Sequence, residues 1–570
     1  MTNLALARAF FEIADLMDLN GDSSFRANAY RRGARAIEGL PEDIRNVHSA
    51  GKTREIPGIG PVLADKIDEW LSTGSIKHLE ALRETVPQGV VEMTNIAGVG
   101  TKLARRFYVE LGIGNIEELE KACRQRRIRT LKGLGARTEW NILRGIEAIK
   151  ARGRQVPLGV ALLLARSVQA HLEHFPVVDQ VELSGALRRR EEMVDEIDLV
   201  VSTPDPPAVL ELFAGIREAE GAMETQPHHQ GKMQLKAGPC LEVVARVPDE
   251  FIWALWQTTG SKRHVEQLKA RADSLNIGIT KEGIESNGSV LRPASEADIY
   301  HMFDLPLIPP ELRQGRGEVE AAALGTLPKL VELGDIRGDL HCHSRWSDGV
   351  LTVKEMALAA RAKGYEYLAI CDHSQSLRIA NGLDPHRLRL QHAEIRRVEE
   401  EIGFRVLSGI EVDILADGSL DLPDDILAER DIVVASIHSG FRQDRKQLTD
   451  RVLKAMENPH VDVVGHPTGR LLGRRAPYSI DMDQIIQRAA ATGTVLEINA
   501  SPDRLDINEV YARQAMSSGV RMAVNTDAHS QAELDNMHLG VSVARRAWLT
   551  SEHVINTWPW AHIRELFASS

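Results

Sequence analysis

Cysteine is scarce in this chain of 570 residues: only Cys123, Cys240, Cys342 and Cys371 are present, and no two form a CxxC pair. That excludes a disulfide framework and a thiolate-rich structural zinc site; reduced thiols are expected, with Cys342 and Cys371 as small buried strand residues. Long hydrophobic runs are also absent, although 43% of residues are hydrophobic, so no segment reads as a membrane span. The opening segment Met1 to Glu12 reads as an amphipathic helix without a signal cleavage site, which predicts a cytoplasmic protein with no membrane partner. A positive net charge is missing too. The formal value of −12 argues weakly against nucleic acid when averaged over the chain. The average hides a local reversal: Lys121, Arg124, Arg126, Arg127, Arg129, Lys132, Arg137, Arg144, Lys150, Arg152 and Arg154 face only Glu139 and Glu147. Such a stretch is either a solvated helical face or a phosphate-contacting surface. A chain of this length divides into several domains.

What is present recurs. Seven apolar runs in the C-terminal part end in, or are followed by, metal-ligand side chains: Asp339 to Asp348, Leu368 to His373, Val406 to Glu411, Ile432 to His438, Val461 to His466, Val495 to Asn499 and Met522 to His529. A single histidine is more often a core or surface residue than a ligand, but seven such coincidences are not explained that way. Buried parallel strands read as apolar runs, and residues at strand C-termini of a β/α barrel converge on one face. Histidine and carboxylate with almost no thiolate favour Zn, Mn or Fe at a catalytic site. His341 and His343, two apart, share one face of a strand.

These segments resemble the PHP (polymerase and histidinol phosphatase) family, with its opening HxH and closing DxH. The resemblance implies the ligand set His341, His343, Asp348, His373, Glu411, His438, His466, Asp527 and His529. It further implies three metals. One would take His341, His343, Glu411 and Asp527; a second would share Glu411 with His438 and His466; a third would take Asp348, His373 and His529. The implied chemistry is phosphoester hydrolysis, since such ions lower the pKa of bound water and stabilise phosphate charge.

The N-terminal part carries Ile56-Pro-Gly58-Ile-Gly60, Ile96-Ala-Gly98-Val-Gly100-Thr-Lys102 and a weaker third copy, Leu131-Lys-Gly133-Leu-Gly135. Each pairs a glycine hairpin with the start of a helix, so backbone N–H groups and the helix dipole face outward without side-chain obstruction. This helix-hairpin-helix pattern predicts sequence-independent DNA-backbone binding.

The region is similar to the lyase domain and fingers of family X DNA polymerases. Lys66, in Ala64-Asp-Lys66-Ile-Asp-Glu69-Trp70, falls on that family's Schiff-base lysine; an ordinary exposed helical lysine is the equal alternative. In the middle of the chain the family's GS-x-RR turn appears as Ser184-Gly185-Ala186-Leu-Arg188-Arg189, followed by Glu196-Ile-Asp198 and, on a later strand, Glu242. Carboxylates at i and i+2 on one strand suit a two-metal nucleotidyl-transfer site using Mg or Mn. The family pattern is broken, however: Glu stands for Asp at Glu196 and Glu242, Ala186 for a triphosphate-contacting serine, and Gln257-Thr258 for a Tyr-Phe pair. Ordinary strand-edge charge is the alternative reading of Glu196 and Asp198.

The resemblance covers essentially the whole chain and matches the bacterial PolX type, a family X polymerase core fused to a PHP domain. The expected fold is multidomain, α+β and α/β. It comprises a lyase-like helical domain at 1–85, fingers at 86–155, nucleotidyltransferase-like palm and thumb at 156–310, a linker at 311–335 and a TIM-like PHP barrel at 336–570. The expected function is metal-dependent 3′–5′ exonuclease and DNA 3′-end processing in repair, on gapped or 3′-ended duplex, by a monomer whose polymerase activity is weakened or lost. Three alternatives are an active gap-filling polymerase that takes dNTP, a small-molecule phosphatase, and a catalytically silent DNA-binding scaffold.

Overall fold

The computed structural model describes residues 2–568, except 39, 41–42, 95, 97, 153–154, 217–218, 236–237, 281–282 and 287–288. The side chains of Glu147, Lys150, Arg152 and Arg154, part of the basic stretch, lie outside the described set.

From Thr2 to Arg152 every described element is a helix. Three turns of the same construction punctuate it. Ile59 N donates to Ile56 O at 3.0 Å, Val99 N to Ile96 O at 2.8 Å and Leu134 N to Leu131 O at 3.0 Å. The third residue of each turn has positive φ: +88° at Gly58, +87° at Gly98 and +84° at Gly133. A type II turn demands that conformation, which is why glycine stands there. Ile56, Ile59, Ile96, Val99 and Leu131 are buried and anchor the turns in one core that runs from Leu6 to Ile146. Gly60 and Gly100 then cap the helices Pro61–Thr73 and Thr101–Leu111, and Gly135 precedes Ala136–Arg152.

The middle of the chain is α+β. Helix Leu158–Glu173 lies near its start. It packs on a five-stranded sheet ordered Gln180–Leu183, Glu196–Ser202, Cys240–Arg246, Gln230–Leu235, Ala219–Gln226. Only the pair Glu196–Ser202 and Cys240–Arg246 is parallel. A separate core follows, built on stacked Trp253 and Trp256 with Tyr300, Phe303 and Val319.

The C-terminal part is a nearly closed parallel barrel. Its seven strands, in spatial and chain order, are Gly338–Cys342, Tyr367–Ile370, Arg405–Asp413, Ile432–Ser436, Val463–Val464, Val495–Asn499 and Met522–Asn525. A parallel bridge from Cys342 to Ala528 brings the last strand's end back to the first. Nearly all strand residues are buried, as expected where helices cover a parallel sheet. Barrel and palm share one hydrophobic core, reinforced by the Arg470–Glu192 pair at 2.7 Å and by Arg546 donating to Arg189 O at 2.8 Å.

Candidate metal centre

Six of the seven barrel strands, all but Val495–Asn499, deliver candidate ligands at or just past their C-terminal ends, because a parallel barrel points every strand the same way. His341 lies within the first strand and Glu411 within the third, and the remaining ligands sit on the loops that follow strands. His466 and Asp527 adopt left-handed backbone, with φ of +28° and +55°, conformations uncommon for non-glycine residues and concentrated at functional sites.

The nine residues come together. Three groups have ligand atoms mutually within 4.8 Å: His343, Asp348, His373 and His529; His341, His343 and Asp527; and His373, Glu411 and His438. His466 joins through Glu411, Nε2 to Oε1 at 3.0 Å, beside His438 Nε2 at 3.3 Å from the same oxygen. The grouping differs from that implied by resemblance: Glu411 is not within the set of His341, His343 and Asp527, His343 belongs to two sets, and so does His373. Its Nδ1 lies 2.7 Å from Glu411 Oε2 and its Nε2 3.6 Å from Asp348 Oδ1. A ring with two separated nitrogens can do this.

The electrostatics are those of an ion cluster. Burial alone would lower His438, yet the charge of Glu411 and the hydrogen bond to Asp413 push it up to about 10. His529 is likewise pushed up to about 10, against its burial, by Asp348. His343 moves the other way: burial and the neighbouring imidazoles His529 and His373 lower it to about 3. Burial raises the carboxyls of Glu411 and Asp527, but the surrounding histidines hold both well below the usual range. His343 Nδ1, His373 Nδ1, His466 Nδ1 and Glu411 Oε2 are buried without a hydrogen-bond partner. Buried polar atoms are rarely orphaned. Converging imidazole and carboxylate lone pairs are accounted for by divalent cations, so the donor set fits such ions.

Outside the ligands stands a shell that sequence pattern alone does not separate from them. His341 Nδ1 hydrogen-bonds Glu497 Oε1 at 2.8 Å. Glu497 in turn accepts from Asn525 Nδ2 at 2.9 Å and from His466 N at 2.7 Å. Asp413 holds His438 Nδ1 at 2.8 Å, and Asp372 accepts from Ser344 N at 2.8 Å. Asp413 follows Glu411 by two, the spacing that shares a strand face, and that was the signal available for it.

Elsewhere the predicted residues are placed as follows. Glu196, Asp198 and Glu242 form a fourth cluster within 4.8 Å. Burial and the charges of Glu196 and Glu242 push the Asp198 carboxyl up to about 7. Gly185 has φ +55°, and a Cβ there would meet Asp198 Oδ2 at 1.7 Å, so glycine is required twice over. Ala186 sits in the short helix Gly185–Arg188. Arg189 pairs with Glu191 at 2.6 Å and donates to Thr259 O. Lys232, which the sequence pattern does not single out, contacts Glu196 Oε1 and lies 3.8 Å from Glu242 Oε2. Lys66 Nζ is 2.7 Å from Glu69 Oε2. Around Gly60, Gly98, Gly100, Gly133 and Gly135 a Cβ would meet nothing within 4 Å, and Lys102 is exposed. The basic stretch is partly committed within the fold: Arg129 pairs with the buried Glu139 and Arg124 with Glu120.

Family models match along the chain: a helix-hairpin-helix domain at 1–76, a SAM-like helix-hairpin-helix tandem at 90–148, a DNA polymerase beta thumb at 254–314 and a PHP domain at 339–501. The DNA polymerase/3′-5′ exonuclease PolX of Bacillus subtilis is 38% identical over 557 residues, 97% of this chain and 96% of that protein. This chain belongs to the PolX family. A Thermoanaerobacter sp. protein named "Probable phosphatase" is 31% identical over 232 residues, 38% of this chain and 89% of its own length. DNA polymerase lambda of Rattus norvegicus is 23% identical over 341 residues, 55% of this chain and 56% of its own. No helix among the described residues is long and apolar enough to cross a membrane. As a PolX family member the chain carries a barrel site of the PHP type on the same core as its palm.

Proposed function

We propose that this chain is a DNA 3′-end processing enzyme, with metal-dependent 3′–5′ exonuclease activity in the barrel and a palm whose polymerase activity is weak. The observation that carries the reading is the convergence of His341, His343, Asp348, His373, Glu411, His438, His466, Asp527 and His529, among which His343 Nδ1, His373 Nδ1, His466 Nδ1 and Glu411 Oε2 are buried without a hydrogen-bond partner. These residues would hold two or three divalent ions, with Mn, Zn and Fe all compatible with the donors. When bound, such ions supply Lewis acidity for phosphodiester hydrolysis. Glu497 and Asp413 fix the rings of His341 and His438 so that Nε2 of each faces the cluster.

The glycine turns with open approach at Gly98, Gly100, Gly133 and Gly135 support backbone contact with duplex DNA independent of sequence. Lys66, held by Glu69, reads as a charged surface residue on this proposal. A gap-filling polymerase is the second reading, favoured by the cross-strand register of Asp198 with Glu242 and by the name of the Bacillus subtilis relative, a DNA polymerase/3′-5′ exonuclease. A labelled primer on gapped duplex with Mn²⁺, with and without dNTPs, separates the two. Shortening that persists in dNTPs supports the first; extension supports the second; neither product would sink both.

A further inference from the structure

Lys232 owes its place among the palm carboxylates to strand register. In the antiparallel pair of Gln230–Leu235 with Cys240–Arg246, Lys232 stands opposite Glu242. In the neighbouring parallel pair, Glu242 stands opposite Asp198. Three adjacent strands thus line up Lys232, Glu242 and Asp198 in one row on one face, with Glu196 two residues before Asp198 on that same face. The ammonium touches Glu196 Oε1 and lies 3.8 Å from Glu242 Oε2, and its side chain is 31% exposed. Arg189 is also engaged, since it donates to Thr259 O and pairs with Glu191.

We propose that the Lys232 ammonium is the resident cation of the palm, occupying by register the position that a nucleotidyl-transfer site would give to a divalent metal. The proposal deepens the weak-palm reading and rests on it. The ammonium beside Glu196 and Glu242 offsets one unit of the cluster's negative charge. A metal entering the cluster must first displace Lys232, then hold its ligands against a positive charge tethered a few ångströms away. The site is therefore poorly suited to metal as built. Neighbouring unit charges interact strongly at this separation, so removing the ammonium should tighten metal binding at these carboxylates by about tenfold or more.

The test is Mn²⁺ binding to the full chain by electron paramagnetic resonance, comparing the parent with Lys232→Met and Lys232→Gln. Both variants keep the side-chain stem, and circular dichroism checks that they fold. The expected result is at least one additional Mn²⁺ per chain in either variant, lost again when Asp198→Asn is added. Equal uptake by parent and variants would overturn the proposal, as would a loss of Mn²⁺ when Asp198→Asn is made in the parent. Primer extension in a His341→Ala, His343→Ala background separates the proposal from the reading beneath it. Robust extension by that parent removes the weak-palm reading. Feeble extension with equal Mn²⁺ uptake removes only Lys232.

Discussion

At the scale of single residues, two carboxylates outside the ligand set make sharp tests. Glu497 and Asp413 each accept a hydrogen bond from the far nitrogen of a cluster histidine, at 2.8 Å in both cases. Partners of this kind set ring orientation and ligand basicity, so Glu497→Gln or Asp413→Asn should lower metal affinity or nuclease rate by roughly 10–100-fold. Metal titration followed by primer shortening measures both, and wild-type values in either variant would remove that residue's positioning role. Glu296 makes a different test. Burial would raise its carboxyl, but the hydrogen bond from Arg188 and the charge of Arg313 hold it at about 2, below the usual 4.5. Its stabilising contribution is complete above pH 4.5 and fades as the pH falls from there towards 2. Arg313 is fully buried and bonded to Glu296 at 2.6 Å, so Glu296→Gln should cost about 3 kcal/mol at pH 7 by leaving that charge without its partner. Urea unfolding of parent and variant should show the gap at pH 7 narrowing below pH 4.5.

At the scale of elements, the glycine turns are the testable units. Each has φ near +85° at its third position, where a β-branched side chain is strained by about 1–3 kcal/mol. Gly58→Val with Gly98→Val should therefore weaken DNA binding, through a distorted turn and an obstructed backbone. Fluorescence anisotropy with duplexes of unrelated sequence measures it. The parent should bind them alike, and more weakly as salt rises, because phosphate contacts release counterions. Affinity that is flat with salt, or a normal-binding double variant, would contradict the hairpin reading. The turns were legible in advance because a local rule, positive φ at one position, maps directly onto one residue type. The commitment of Arg124 and Arg129 to Glu120 and Glu139 was not, since charge counting cannot show which cations are paired.

At the scale of the whole molecule, the barrel and the hairpins occupy separate cores. His341→Ala with His343→Ala should abolish primer shortening and leave DNA affinity within about twofold, because the proposed nuclease site is not shared with the hairpins. Chelation should do more than stop catalysis. With so many charged groups converging on buried lone pairs, bound metal stabilises the folded barrel by mass action, about 2.7 kcal/mol at a hundredfold excess over Kd. Calorimetry with and without EDTA should show a lower barrel transition in the chelated sample, and identical transitions would indicate that the cluster holds no ion.

The sequence by itself determined the barrel and the convergence of its histidines and carboxylates on one face, because a buried parallel strand must be an apolar run and every strand must end on the same face. It determined the hairpins for a similarly local reason. Tertiary structure alone decided that His373 faces two groups, that Glu497 and Asp413 stand behind the ligands, and that Lys232 lies in the palm carboxylates. Each depends on the pairing or packing of segments distant in the chain. Lys232 alternates along its strand like any other residue, and only the register across three strands sets its ammonium beside Glu196 and Glu242.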